Sequence, residues 1–165
     1  MSETRLFIAL WPDEAIRHEL ALQRDAWSWP RSASPVKTDR LHATLHFLGN
    51  VERKQIADLA DALAVPFEPF SLTFSRHELW DHGIAVLEPE IAPPALMQLH
   101  LRLGKALEGA GILLDTRPYR PHVTLARRAD KGVPPTSSPG LLWQVGGYRL
   151  MESTTARYAT LRSYP

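Results

Sequence analysis

Arg120-Pro121-His122-Val123-Thr124-Leu125-Ala126-Arg127 decides the fold, because it repeats a shorter stretch met earlier, Leu41-His42-Ala43-Thr44-Leu45. His42 and His122 lie 80 residues apart in a chain of 165, one in each half, as a duplicated unit leaves them. Leu41 to Phe47 alternates, with His42, Thr44 and His46 on one face and Leu41, Ala43, Leu45 and Phe47 on the other, which predicts a strand with a polar face. Gly49-Asn50 reads as the turn that ends it.

Outward from these two strands the chain alternates strand and helix. Leu6 to Trp11 is a short apolar run, too brief for a secretory segment, and reads as a first strand. Pro12-Asp13-Glu14 suits the first turn of a helix, which carries Ile16, Leu20 and Trp27 before a proline-bounded loop over 29–35. A second helix is expected over 52–64. Strands follow around Phe70 to Trp80 and Ile84 to Leu87, joined by Asp81-His82-Gly83. Pro93-Pro94 opens a third helix striped by Leu96, Leu99, Leu103 and Leu107, and Gly109 and Gly111 close it. After the second His-x-Thr strand, 132–140 reads as a mobile loop, and Leu142 to Ser153 with Arg157 to Leu161 as a final pair of strands. The expectation is an α+β fold with helices outside antiparallel sheets, in two lobes of one domain spanning 1–165, the two His strands meeting at the centre on an approximate two-fold axis.

Composition narrows the chemistry. With no cysteine there is no disulfide framework, thiolate metal site or cysteine nucleophile. No stretch approaches the roughly 18 apolar residues of a membrane span, so the expected location is the cytoplasm and the expected state a monomer. A formal charge of +1 does not indicate a large basic nucleic-acid surface, but a small phosphate or an RNA end needs only a local patch.

On a strand, residues two apart point the same way. Each His-x-Thr pair therefore offers one imidazole and one hydroxyl to a common group, and a tetrahedral phosphate has the oxygens to accept two such pairs. Displacement at phosphorus runs in line, so a base and an acid must approach from opposite sides, as two histidines on facing strands do. Histidine, with an ordinary pKa near 6.5, serves either role near neutrality. Arg117, Arg120, Arg127, Arg128 and Lys131 form a local basic cluster beside the second motif. Strict alternation puts Arg128 and not Arg127 on the face of His122, and pattern alone does not choose between them. Phe7, Trp11, Trp80 and Tyr119 are aromatic candidates for base stacking.

These motifs, together with the opening Arg5 to Leu10, the block Leu41 to Val51, the block Arg117 to Arg127 and the closing Arg157-Tyr158-Ala159-Thr160-Leu161, resemble the 2H phosphoesterases, and within them the RNA 2',3'-cyclic phosphodiesterases once called 2'-5' RNA ligases. The likeness covers nearly the whole chain; one departure is Thr155-Ala156, where members often place a glycine. The resemblance implies a bilobal fold with a central groove and metal-independent opening of a 2',3'-cyclic phosphate to a 2'-phosphate, without cofactor, with 2'-5' ligation as a side reaction. It makes His42 the proton donor to the leaving 3' oxygen and His122 the base that activates water. Thr44 and Thr124 would hold phosphate oxygens, and Arg127 matches the family arginine near the phosphate. The implied partners are RNA ends, tRNA fragments among them, or small cyclic nucleotides.

Other readings compete. His42 and His46 have the spacing of a zinc helix, but the segment reads as strand and lacks the following Glu and a third ligand. His18, His46, His77, His82 and His100 read as ordinary surface or core residues. A non-catalytic module gripping an RNA end or phosphate would use the same groove, and so would a 2H enzyme acting on another cyclic nucleotide.

Overall fold

The computed structural model describes residues 2–165. Two antiparallel sheets carry the chain. In the first, β1 (Glu3–Leu10) lies between β3 (Ala43–Glu52) and β8 (Tyr148–Ser153), and β9 (Tyr158–Tyr164) forms the far edge. In the second, five strands run in the order β2 (Ser34–Pro35), β6 (Val123–Arg127), β5 (Ile84–Pro89), β4 (Phe70–Trp80) and β7 (Leu141–Val145). β1 is buried from Leu6 to Leu10 without alternation because both its faces are covered. Leu6, Ile8 and Leu10 join the main core, while Phe7 and Ala9 pack with Met151 beneath Trp11 and Tyr158.

Three helices lie outside. α1 (Glu14–Asp25) is capped by Asp13, whose Oδ1 accepts the Ile16 N–H at 2.9 Å. It leads to Trp27, which donates its indole N–H to His77 of β4 at 2.8 Å, so the helix after β1 crosses to cover the other sheet. α2 (Ile56–Ala62) and α3 (Pro94–Gly109) cover the four-stranded sheet: Tyr164 donates to the Ala60 carbonyl, and His46 of β3 stacks on His100 of α3. α3 stops as expected, with Gly111 at φ +80° and the Ile112 N–H returning to the Leu107 carbonyl. This exchange of helices ties the two lobes into one hydrophobic core.

The expected order holds with corrections. The second helix is only Ile56–Ala62, because β3 runs on through Glu52 and a single tight turn, Arg53–Gln55, intervenes. Gly49-Asn50 is not a turn: β3 passes through it, and Gly49 takes φ +72° beside an extra residue, Leu48, in the pairing with β1. The segment expected as one strand from Leu142 to Ser153 breaks at Gly146-Gly147 into β7 and β8, which join different sheets. Ser34-Pro35, read as loop, forms the two-residue β2 on β6. The 132–140 segment is anchored by a Ser28–Val133 bridge and by Ser138 donating to the Ser75 carbonyl.

One irregularity occurs twice and matters most. Going from Ile8 to Ala9 on β1, the partner on β3 jumps from His46 to Thr44, leaving Leu45 as an inserted residue. On β5, the step from Ala85 to Val86 moves the partner on β6 from Ala126 to Thr124, leaving Leu125 inserted. The same position of both His-x-Thr-Leu motifs carries a β-bulge. Each bulge turns the side chains after it to the other face, on β3 until the extra residue at Leu48 turns the strand back.

Candidate active site

His42 and His122 each sit one residue ahead of their strands, β3 and β6, and not within them as alternation suggests. Each ring is held the same way. The Nδ1 of His42 lies 2.7 Å from the Arg40 carbonyl, and the Nδ1 of His122 lies 2.7 Å from the Arg120 carbonyl. A carbonyl only accepts, so Nδ1 carries the proton in both and Nε2 is left for chemistry. Nε2 of His42 lies 2.9 Å from the Thr44 hydroxyl. Thr124 faces the same side of its sheet as Val86, its partner on β5.

The arrangement around the rings also repeats. The Arg40 guanidinium stands 5.0 Å over the Tyr158 ring, which meets His42 edge-on at 5.6 Å. The Arg120 guanidinium stands 4.3 Å over Trp80, whose ring lies 4.4 Å from His122. Each histidine thus leans on an aromatic side chain that the arginine two residues earlier covers. Phe7 at 5.0 Å and Trp11, stacked at 5.5 Å, complete an aromatic box around His42.

These surroundings set the charge states. Burial pushes His42 down to about 4, against the pull of the Arg40 carbonyl, and the positive charges of His122 and Arg127 lower it further. Burial also lowers His122; the Arg120 carbonyl and Glu88 oppose it, and Arg127 and Arg120 add to it. The positive charge of Arg127 lowers both rings, so it lies within electrostatic reach of each.

Its place on the face of His122 follows from the bulge at Leu125. Ala126 pairs with Ala85 and faces the core, so the next residue, Arg127, turns to the face of Thr124 and His122. Strict alternation had favoured Arg128, which instead leaves the strand at φ +52°. The bulge at Leu45 likewise sends His46 inward with Ile8 and leaves Phe47, at the position equivalent to Arg127, 68% exposed. His46 therefore does not share the face of His42 and Thr44. Of the other arginines, Arg117 pairs with Asp115 and Arg120 with Glu88.

Tyr119 is not a base-stacking residue. It lies flat on His100 at 3.9 Å, which in turn stacks on His46 at 4.0 Å, and its hydroxyl donates to the Thr44 carbonyl at 3.1 Å. Burial raises its pKa, so the phenol keeps its proton. This bond joins the second motif's approach to the first motif's strand. Tyr119→Phe is expected to lower kcat about ten-fold with little change in KM, and to cost about 1 kcal/mol of stability, read by steady-state kinetics and urea titration.

Five histidines, His42, His46, His77, His100 and His122, are held below 6.5 chiefly by burial, His42 and His100 to about 4. The unfolded chain protonates them where the folded one does not. It therefore binds more protons below 6.5, and stability falls as pH drops through that window until the folded rings titrate. The urea midpoint is expected to fall steadily between about pH 6.5 and 5, above the range where ordinary carboxylates titrate. A flat midpoint contradicts these assignments.

Sequence reasoning missed Glu88 and Tyr158 as neighbours of the histidines and the Tyr119 bond. Only the repeated Arg-x-His, at Arg40-Leu41-His42 and Arg120-Pro121-His122, carried a signal for them. Among the described residues, no group of three or more His, Cys, Asp or Glu side chains is placed to hold a metal ion.

Comparisons with known proteins bear on this geometry. Residues 15–140 match the model of the 2'-5' RNA ligase superfamily. The chain is 34% identical to an RNA 2',3'-cyclic phosphodiesterase of Escherichia coli K12, covering 97% of this chain and 93% of that protein. It is 32% identical to the protein of that name from Thermus thermophilus, over 90% of this chain and 81% of the relative. The structure of E. coli LigT complexed with 3'-AMP superposes with a TM-score of 0.86 at 27% identity, covering 98% of this chain and 97% of that one. With its paired, bulged His-x-Thr-Leu strands in two curled sheets, the chain belongs to the 2'-5' RNA ligase superfamily of 2H phosphoesterases.

Proposed function

We propose that this chain is an RNA 2',3'-cyclic phosphodiesterase that opens a terminal cyclic phosphate, on RNA or a nucleotide, to the 2'-phosphate. The observation that carries the proposal is the duplicated histidine: two rings with Nδ1 tied to a carbonyl, Nε2 left for the substrate, and one arginine acting on both. The activity borne in the names of the E. coli and T. thermophilus relatives supports it.

In this mechanism water attacks phosphorus opposite the 3' oxygen, and His122 Nε2 takes the water's proton. The bond from phosphorus to O3' breaks, and His42 Nε2 delivers a proton to O3', leaving a 2'-phosphomonoester and a free 3'-hydroxyl. Thr44 and Thr124 hold the non-bridging oxygens, and Arg127 neutralises the charge that grows on them. His42, pushed to about 4 in the free chain, must be protonated to act. A phosphate anion beside it opposes the burial that lowered it, so substrate and proton bind together. An RNA 5'-hydroxyl in place of water would form a 2'-5' bond by the same transfers.

The two rings supply both proton transfers, so the chemistry asks for no metal or cofactor. One chain provides both halves of the site within one core, which supports a single-domain monomer, and an RNA substrate supports a cytoplasmic setting. No helix among the described residues is long and apolar enough to cross a membrane. The test is phosphorus NMR of a short RNA ending in a 2',3'-cyclic phosphate, incubated with the chain in EDTA beside His122→Ala. The expected product is the 2'-phosphate, formed in EDTA and absent with the variant. Binding without turnover would make the chain an RNA-end module; turnover of a different cyclic nucleotide alone would move the substrate.

A further inference from the structure

The two histidine sites share the carbonyl that fixes each ring and the arginine-covered aromatic beside it, but the charge behind the arginine differs. Glu88, on β5, is 3% exposed, and its strand places it beside His122, because the preceding residue, Leu87, pairs with Val123. Its carboxylate accepts two bonds from the Arg120 guanidinium, Nε at 2.7 Å and Nη2 at 3.1 Å, and Arg76 approaches it at 4.0 Å. Arg120 is the residue whose carbonyl fixes the His122 ring, at 2.7 Å. In the first half Arg40 does the same for His42, yet among the described residues no carboxylate pairs with Arg40. His42 is walled by Phe7, Trp11 and Tyr158 instead.

We propose that Glu88 is the positioning residue that fits His122 for the role of base: it clamps the arginine that orients the ring and places a buried negative charge where the imidazolium forms. The inference rests on the hydrolytic function proposed above. When His122 takes the water's proton, the new cation lies next to a carboxylate held in a low-dielectric setting, which favours that transfer. His42 must do the reverse. A proton there has no carboxylate to hold it and is disfavoured by the ring's burial, so it is readily given to the leaving oxygen. The duplicated motif is thus made directional by one unduplicated acid.

Other charges face His122, and all are fixed parts of the comparison. Arg120 precedes it and Arg127 lies on its own strand's face. His42 stands across the groove. From β4 come Arg76, and Glu78, whose partner Val86 is also the partner of Thr124. Burial, Arg127 and Arg120 lower His122, and the Arg120 carbonyl and Glu88 oppose them.

The experiment compares wild type, Glu88→Gln and the charge-retaining Glu88→Asp. It measures kcat, KM and the pH profile of kcat/KM on a 2',3'-cyclic nucleotide, together with NMR titration of the labelled histidines in the free proteins. Glu88→Gln is expected to lower kcat roughly ten-fold, leave KM unchanged or smaller, and move the His122 titration, with the limb of the profile that His122 sets, down by about one pH unit, while His42 stays put. Glu88→Asp is expected to move both in the same direction by less, and it supplies the answer if Glu88→Gln does not fold. A merely structural role scales activity at every pH and leaves the limb in place; that result overturns the inference, as does a His42 titration that moves as far as His122's. If the wild type turns over no cyclic phosphate, the proposed function fails. The His122 titration still decides whether Glu88 acts on that ring.

Discussion

Replacing His122 with alanine is expected to lower kcat for cyclic-phosphate hydrolysis by about 10²- to 10⁴-fold, with KM within a few-fold of wild type. In the proposed mechanism the variant removes the Nε2 that takes the proton, while Thr44, Thr124 and Arg127 would still bind the phosphate. His42→Ala is expected to cost a similar factor. The double variant should be little worse than either single one, because an acid without its base does not complete the transfer. Steady-state kinetics on all three checks this. A rise in KM with kcat preserved would mean that the rings bind the phosphate and do not move protons.

The second large effect concerns Arg127. Arg127→Ala is expected to reduce kcat/KM by about 10²- to 10³-fold, as loss of a fixed charge beside a developing phosphorane-like centre does. Arg128→Ala should remain within about two-fold of wild type, since that residue leaves β6 at φ +52°. The contrast depends wholly on the inserted Leu125. Were β6 regular, the two variants would exchange their effects, so measuring kcat/KM for both tests the bulge as well as the arginine.

The bulge also marks where pattern stopped being readable. The strands and helices that alternate or stripe cleanly, such as α3 with Leu96, Leu99, Leu103 and Leu107, lie where the sequence put them. The two histidines were legible because the motif is duplicated and because its chemistry needs residues of that type on facing strands. The side on which Arg127 and His46 fall was not legible, since Leu45 and Leu125 are ordinary strand residues and nothing local announces an inserted one. The break at Gly146-Gly147 was hidden for a related reason. A side-chain carbon at Gly147 would collide with the Tyr164 carbonyl oxygen, a close approach set by a strand that comes later in the chain. Glu88 and Tyr119 act through partners 32 and 75 residues away, Arg120 and the Thr44 carbonyl, and no spacing rule reaches so far.

Lowering the basicity of the leaving oxygen separates acid from base most directly. A 2',3'-cyclic substrate with sulfur at the bridging 3' position leaves as a thiolate and needs no proton. Single-turnover rates for wild type, His42→Ala and His122→Ala on this substrate and its oxygen parent give the answer. The account predicts that the His42→Ala defect largely disappears with sulfur while the His122→Ala defect persists. Rescue of His122→Ala instead would reverse the two roles, and rescue of neither would contradict acid-base catalysis by this pair.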